Sequence, residues 1–319
     1  MENEKRISEW AEEFILYKQS IGYVYDTHQF CLRKFVCFVE EKSKDAVFPT
    51  RHSINEFLNT ITDSSGTLYN TIAVLREFSR YMQKHSYKEA YVIPPKAATQ
   101  AKPEPPYFFT KEEIQHFFKE LDDIEPHISF KGRELVMPAL FRVLYCCGLR
   151  CKEARTLLCS NVRLSEYYLD VLQSKGPKSR RLFISIELAE YLQKFDIKIS
   201  IVFPQRKYFF PHGKMCYAPS TISNNFKRFW KTAYPNFVIT TRPRAYDFRH
   251  HFACANLNRW AAEGLDVNVM LAYLMRYMGH QNISSTLYYF HFVPEFFPTF
   301  ADKSKPLESI IPEVPYEEE

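Results

Sequence analysis

The stretch ELVMPALFRVLYCCGLRCKEARTLLCSNVRL, residues 134–164, decides how the chain folds. Its first half is almost wholly apolar and stops at Gly148, as a buried helix ending on a glycine does. A second, more polar helix follows and then a turn. Arg150 and Glu153 stand three residues apart at its start, spaced to pair on one helix face. An arginine at the end of a core segment is either half of that ion pair or a side chain kept for an anion. The neighbouring segments bear on which.

Downstream, YYLDVLQSKGPKSRRLFISI (167–186) alternates and breaks at Gly176 and Pro177, a β-hairpin with a basic tip carrying Lys175. Alone, Lys175 reads as a solvated charge. In AYDFRHHFACANL (245–257), Arg249 sits inside a core-like segment, where a guanidinium needs partners. MGHQNISSTLYYFHF (278–292) adds His280 and two adjacent tyrosines, Tyr288 and Tyr289. On a helix these tyrosines point about 100° apart, so at most one of them can face a given partner.

Upstream, ISEWAEEFILYKQS places Ile7, Trp10, Phe14 and Tyr17 on one helical face. Cys31, Phe35 and Phe38 repeat the pattern. Ser53 is positioned to cap a short helix bearing Ile54, Phe57, Leu58 and Ile61. Leu68, Ile72, Leu75, Phe78 and Met82 line a fourth helix, whose Arg76 is a candidate groove contact. Four such helices make a small bundle over residues 1–92. VIPPKAATQAKPEPPYFF (92–109) then holds Pro94, Pro95, Pro103, Pro105 and Pro106, an extended linker assigned to 93–108. A second domain over 109–303 opens with Thr110 and Glu113 spaced as a capping box. Residues 304–319 form a proline-broken, acidic tail. The fold class expected is mainly α, with one small antiparallel sheet in the second domain.

The 319 residues are 46% hydrophobic and 25% charged, an ordinary globular balance. A net charge of +5 does not by itself name a nucleic-acid partner. The eight cysteines include no CxxC pair, and no histidines stand at zinc-finger spacing, so no metal site is expected. The N-terminus lacks an apolar signal core, and no run approaches the length of a membrane span. A soluble, cytoplasmic protein without membrane contact is the expectation.

In order, the chain reads G-L-R-x-x-E, a hairpin lysine, Y-x-x-R-H, G-H, and a tyrosine nine residues after that histidine. This set resembles the tyrosine recombinase (phage integrase) family, including its Xer-type members. The resemblance covers the whole second domain and extends more weakly to the first. It implies a core-binding bundle and a catalytic domain closing around DNA as a C-shaped clamp. It assigns Arg150, Lys175, Tyr246, Arg249, His280 and Tyr289 to catalysis, with Glu153 and His250 in support. Tyr246 departs from the pattern, because the family has histidine there; a phenol can donate to phosphate but is a poor base near neutral pH.

The resemblance further implies attack by Tyr289 on a DNA phosphodiester, giving a 3′-phosphotyrosine and a free 5′ hydroxyl. Arg150 and Arg249 would clamp the phosphate, His280 would add a hydrogen bond, and Lys175 would protonate the leaving oxygen. No cofactor is implied. The expected activity is site-specific recombination of double-stranded DNA by a homotetramer on paired sites, in a nucleoid-associated protein. The alternatives are topoisomerase-like relaxation and a non-catalytic DNA-binding accessory protein. Lys178, Arg180, Arg181, Lys227, Arg228, Arg242 and Arg244 lie in three basic clusters and are the candidate DNA contacts.

Overall fold

The computed structural model describes residues 5–62, 65–85, 87–95, 104–172, 179–236, 241–280 and 282–289. The chain divides into two units, Met1–Pro103 and Glu104–Glu319. Lys175 and Lys178 at the hairpin tip, the middle of the proline-rich linker and everything after Tyr289 lie outside the described residues.

The first unit holds four helices: α1 (Ile7–Ser20), α2 (Asp26–Lys42), α3 (Arg51–Asn59) and α4 (Ser65–Lys84). Their apolar faces meet in one core built on Phe14, Leu32, Phe35, Ile54, Leu75 and Phe78. The buried face of α1 is Ile7, Ala11, Phe14 and Ile15. Tyr17, expected inside, is 48% exposed, its ring 5.6 Å from that of Tyr81. The cap of α3 is Thr50 rather than Ser53: Thr50 Oγ1 accepts from the Ser53 amide and Ser53 Oγ accepts from the Thr50 amide. Arg76 donates to the carbonyls of Ile93 and Pro94, and Ile93 joins the core, so this unit's packing runs past residue 92.

The second unit contains α5 (Lys111–Asp122), α6 (Arg133–Cys147), α7 (Cys151–Arg155), α8 (Ile186–Val202), α9 (Pro219–Ala233), α10 (Asp247–Ala262), α11 (Val267–Met278) and the single turn α12 (Ser284–Leu287). The Thr110–Glu113 capping box starts α5 as expected. Nearly every side chain from Val136 to Leu144 is buried, because α6 is packed by α5, α8 and α10. Phe248, fully buried, rests against Phe109, Phe117, Phe141 and Tyr145, which fixes how α10 lies on α6.

The expected hairpin is β2 (Tyr168–Val171) paired antiparallel with β3 (Arg180–Phe183). A short β1 (Val162–Arg163) adds a third strand on β2, and β4 (Pro211–His212) with β5 (Met215–Cys216) make a second small sheet; neither was expected. Their two-residue strands are too short to leave a period-2 signal in the sequence.

Gly148 closes α6 with φ +58, and a Cβ there would lie 2.6 Å from Phe252 Cδ1. Gly264 has a similar φ of +72 but opens onto empty space. Gly264→Ala is expected to cost about 1–2 kcal/mol, the penalty of the left-handed conformation alone. Gly148→Ala should cost about 1–3 kcal/mol more, from overpacking. Denaturant unfolding of the two variants measures the difference, and equal losses would mean that Phe252 moves aside freely.

Candidate active site

Two helix ends face each other in the second unit. α6 stops at Gly148 and α11 stops at Gly279, each glycine in the left-handed conformation. A helix C-terminus leaves carbonyl oxygens without intrahelical donors and carries partial negative charge. Here arginines fill them. Arg249, on the first turn of α10 and 1% exposed, donates to Gly148 O at 2.6 Å and to Met278 O at 2.7 Å. Arg150 donates to Gly279 O at 3.2 Å, and Arg180 to Tyr277 O at 2.8 Å.

Glu153 ties two of these together. Its carboxylate accepts from Arg150 Nη1 at 2.8 Å and from both terminal nitrogens of Arg180 at 3.0 and 2.9 Å. It also accepts from the Arg150 amide, which caps α7. Burial pushes the Glu153 carboxyl up, but the hydrogen bonds and charge of Arg180, with Arg150 behind them, reverse this and hold it at about 2. Arg150 thus pairs with Glu153 as its spacing suggested, and its side chain stays 36% exposed.

His280 follows the α11 cap. Its Nδ1 lies 2.7 Å from Thr286 Oγ1, and Thr286 is fully buried. Burial lowers the His280 pKa to about 4, helped by the charges of Arg249, Arg150 and Arg180. At neutral pH the ring is therefore uncharged. It stacks on Tyr289, centroids 5.9 Å apart.

Tyr289 is 3% exposed and packs with Ala253, Cys254 and Leu257 of α10 and Leu271, Leu274 and Met278 of α11. Burial raises its phenol to about 12, against the charge and hydrogen bonding of Arg249. Tyr288 is 37% exposed, its ring 5.9 Å from that of His250. Tyr246 is exposed at the N-cap of α10, its ring edge-on to His250 at 5.0 Å. Arg150, Glu153, Arg249, His250, His280 and Tyr289 thus come together, with Tyr246 at the rim; Lys175 lies outside the described residues.

The candidate DNA contacts divide. Lys227 and Arg228 on α9 and Arg242 before α10 are exposed. Arg180 is only slightly exposed: its side chain, 10% exposed, lies against Glu153 and under Gly279, where a Cβ would lie 2.8 Å from its guanidinium. Arg181, next along β3, points outward, pairs with Asp170 and lies 3.7 Å from the Tyr168 ring. Arg244 is held by the fully buried Asp247 and by Glu104. Thr286 was not singled out in the sequence, and Arg180, read there as a DNA contact, joins the cluster through Glu153. Arg180 was hidden in a basic run, although strand alternation sends residues 180 and 181 to opposite faces.

The phage integrase family profile matches residues 107–295. A putative integrase/recombinase of Sinorhizobium fredii is 27% identical over 296 residues, covering 89% of this chain and 91% of that protein. A tyrosine recombinase of Pseudothermotoga lettingae is 26% identical over 281 residues, covering 86% and 87%. In fold, the chain is similar to XerH site-specific recombinase bound to a palindromic difH substrate in a post-cleavage complex, with TM-score 0.63 and 18% identity over 94% of this chain and 97% of that one. It is also similar to a lambda integrase dimer bound to a COC′ core site, with TM-score 0.61 and 13% identity over 88% and 97%.

Two outcomes are expected of this cluster. Arg180→Met strips the nearly buried Glu153 of one partner and should cost about 3–5 kcal/mol, whereas Arg181→Met, losing a half-exposed pair with Asp170, should cost far less. Denaturant unfolding of both would show it. The pH dependence has a fixed sign. His280 titrates at about 4 in the folded chain against 6.5 normally, so its stability is full above pH 6.5 and falls as pH drops toward 4. Glu153, at about 2 against 4.5, extends the loss below pH 4.5. His280→Asn should flatten part of the slope between pH 6.5 and 4 and leave the lower limb; an unchanged slope would contradict the assignment.

Proposed function

The chain belongs to the phage integrase family, and from that premise we propose that it breaks and rejoins duplex DNA at specific sites through a covalent bond from phosphate to Tyr289. The observation that carries this is the placement of Tyr289 on Arg249 and His280, beside the half-open Arg150, with Tyr288 the more exposed of the two tyrosines.

The chemistry follows from the donors. A guanidinium has five N–H groups. Arg249 commits one terminal nitrogen to each of two carbonyls and stays fixed, so its remaining N–H groups are aimed without reorganisation. Arg150 is braced by Glu153 and Gly279 and partly open. A phosphate between them would share its non-bridging oxygens with two permanent cations. Neutral His280, its Nδ1 engaged by Thr286, supports the same phosphate. Tyr289 Oη attacks phosphorus, the bond to the 5′ oxygen breaks, and that oxygen takes a proton from a general acid, the role proposed for Lys175. The phosphotyrosine retains the energy for religation.

Lys227, Arg228 and Arg242 are proposed to hold the DNA backbone, and the N-terminal bundle to bind the duplex as well. Assembly as a tetramer on paired sites and association with the nucleoid belong to the same reading. Among the described residues no helix is long and apolar enough to cross a membrane.

A nicked suicide duplex, which traps the cleaved strand, tests the proposal. The wild type should give a protein–DNA adduct that survives SDS. Tyr289→Phe should abolish it and Tyr288→Phe should retain it, while Arg150→Ala should slow it roughly 10²–10³-fold. Loss with Tyr288→Phe and persistence with Tyr289→Phe would transfer the nucleophile to the outer tyrosine.

A further inference from the structure

His250 is buried on the second position past Phe248, and its Nδ1 has no hydrogen-bond partner. A buried imidazole nitrogen without a partner costs free energy unless it serves another purpose. Three tyrosines surround this ring. Tyr246 stands edge-on at 5.0 Å, Tyr289 at 5.4 Å and 61°, and Tyr288 at 5.9 Å. His250 is one helical turn from Tyr246 and on the same face of α10.

The other acceptors near Tyr289 are committed. His280 Nδ1 is engaged with Thr286 Oγ1. Glu153 is bound by Arg150 and Arg180, and a carboxyl held at about 2 is a feeble base. Asp247 is fully buried and takes three hydrogen bonds from Arg244. Tyr246 is a phenol, a poor base near neutral pH.

We propose that His250 is the general base of the reaction: its Nδ1 takes the phenolic proton of Tyr289 as the tyrosine attacks, and returns it on religation. This rests on the phosphotyrosine reading above. In cleavage, the Tyr289 Oη–H bond breaks as Nδ1–H forms on His250. The Oη–P bond forms as the P–O5′ bond breaks, and the departing oxygen takes its proton from the separate general acid. The charged groups facing His250 are set for this cycle. Burial, Arg244 and Arg249 disfavour the imidazolium and keep the ring a free acceptor at neutral pH, while Asp247 favours it once the proton arrives. Among the described residues, the C-terminal side brings the rings of Tyr288 and Tyr289 against it.

The full-length chain and the nicked suicide duplex test this, with adduct formation timed from pH 5 to 9. The wild-type rate should rise with pH and level off, with a midpoint below 6.5; a flat wild-type profile overturns the proposal without any variant. His250→Phe keeps the ring packing and removes the lone pair. It should be at least about 100-fold slower at pH 7, and its rate should climb about tenfold per pH unit as hydroxide replaces the base. His250→Asn should behave alike. Tyr246→His in the His250→Phe background puts an imidazole one turn earlier on the same face and should recover at least tenfold. Variants that cleave at the wild-type rate, or that slow equally at every pH, overturn the proposal and give His250 a packing role only. A wild type that forms no adduct at any pH faults the phosphotyrosine reading itself.

Discussion

The arrangement depends on two helix C-termini being closed by arginines instead of water. α6 and α11 end on left-handed glycines, and their last carbonyls would be orphaned inside the protein. Arg249 reaches both ends at once, through Gly148 O and Met278 O. Charge-assisted hydrogen bonds contribute about 1.5–3 kcal/mol each, and cations at helix C-termini are favoured by the dipole as well. Those gains offset the cost of burying the guanidinium. Arg249 is therefore a structural bolt between α6, α10 and α11 before it is anything else, and its remaining N–H groups are rigid because of that duty.

Charge bookkeeping gives the site its polarity. Arg150 and Arg180 share one carboxylate, Glu153, Arg249 donates to backbone carbonyls, and Asp247 is engaged by Arg244. His280 is neutral, since burial and those same arginines oppose its protonation. A surplus of fixed positive charge stays in a partly desolvated place, where an anion gains far more than it would in water. Arg180 contributes indirectly. By holding Glu153 from the β3 side it keeps that carboxylate from claiming Arg150 in full.

How much of this was legible in the sequence follows from how local each signal is. The glycine-terminated helix at 134–148, the Thr110 cap and the paired strands around 167–186 are short-range patterns, and each reappears as expected. The ordered set of Arg150, Arg249, His280 and Tyr289 pointed to one site, and their side chains meet. What escaped is what only tertiary packing decides. Examples are which face of α1 is buried, the start of α3 at Thr50, and the role of Arg180, set by which face of β3 meets α11. A run of basic residues reads as solvated surface until a buried carboxylate is found opposite one of them.

The state of Tyr289 limits what electrostatics alone can do. A phenol at about 12 is ionised in roughly one molecule in 10⁵ at pH 7. Arg249 already draws that value down against burial, and the ring remains a phenol. A bound phosphate brings negative charge to the same cations, which screens their pull on Oη and moves the phenol further from ionisation. In the proposed reaction, a clamp that activates the phosphorus would therefore work against prior formation of the nucleophile. Proton removal would then accompany attack rather than precede it, and an acceptor that is neutral, buried and uncommitted in the resting chain would serve that step.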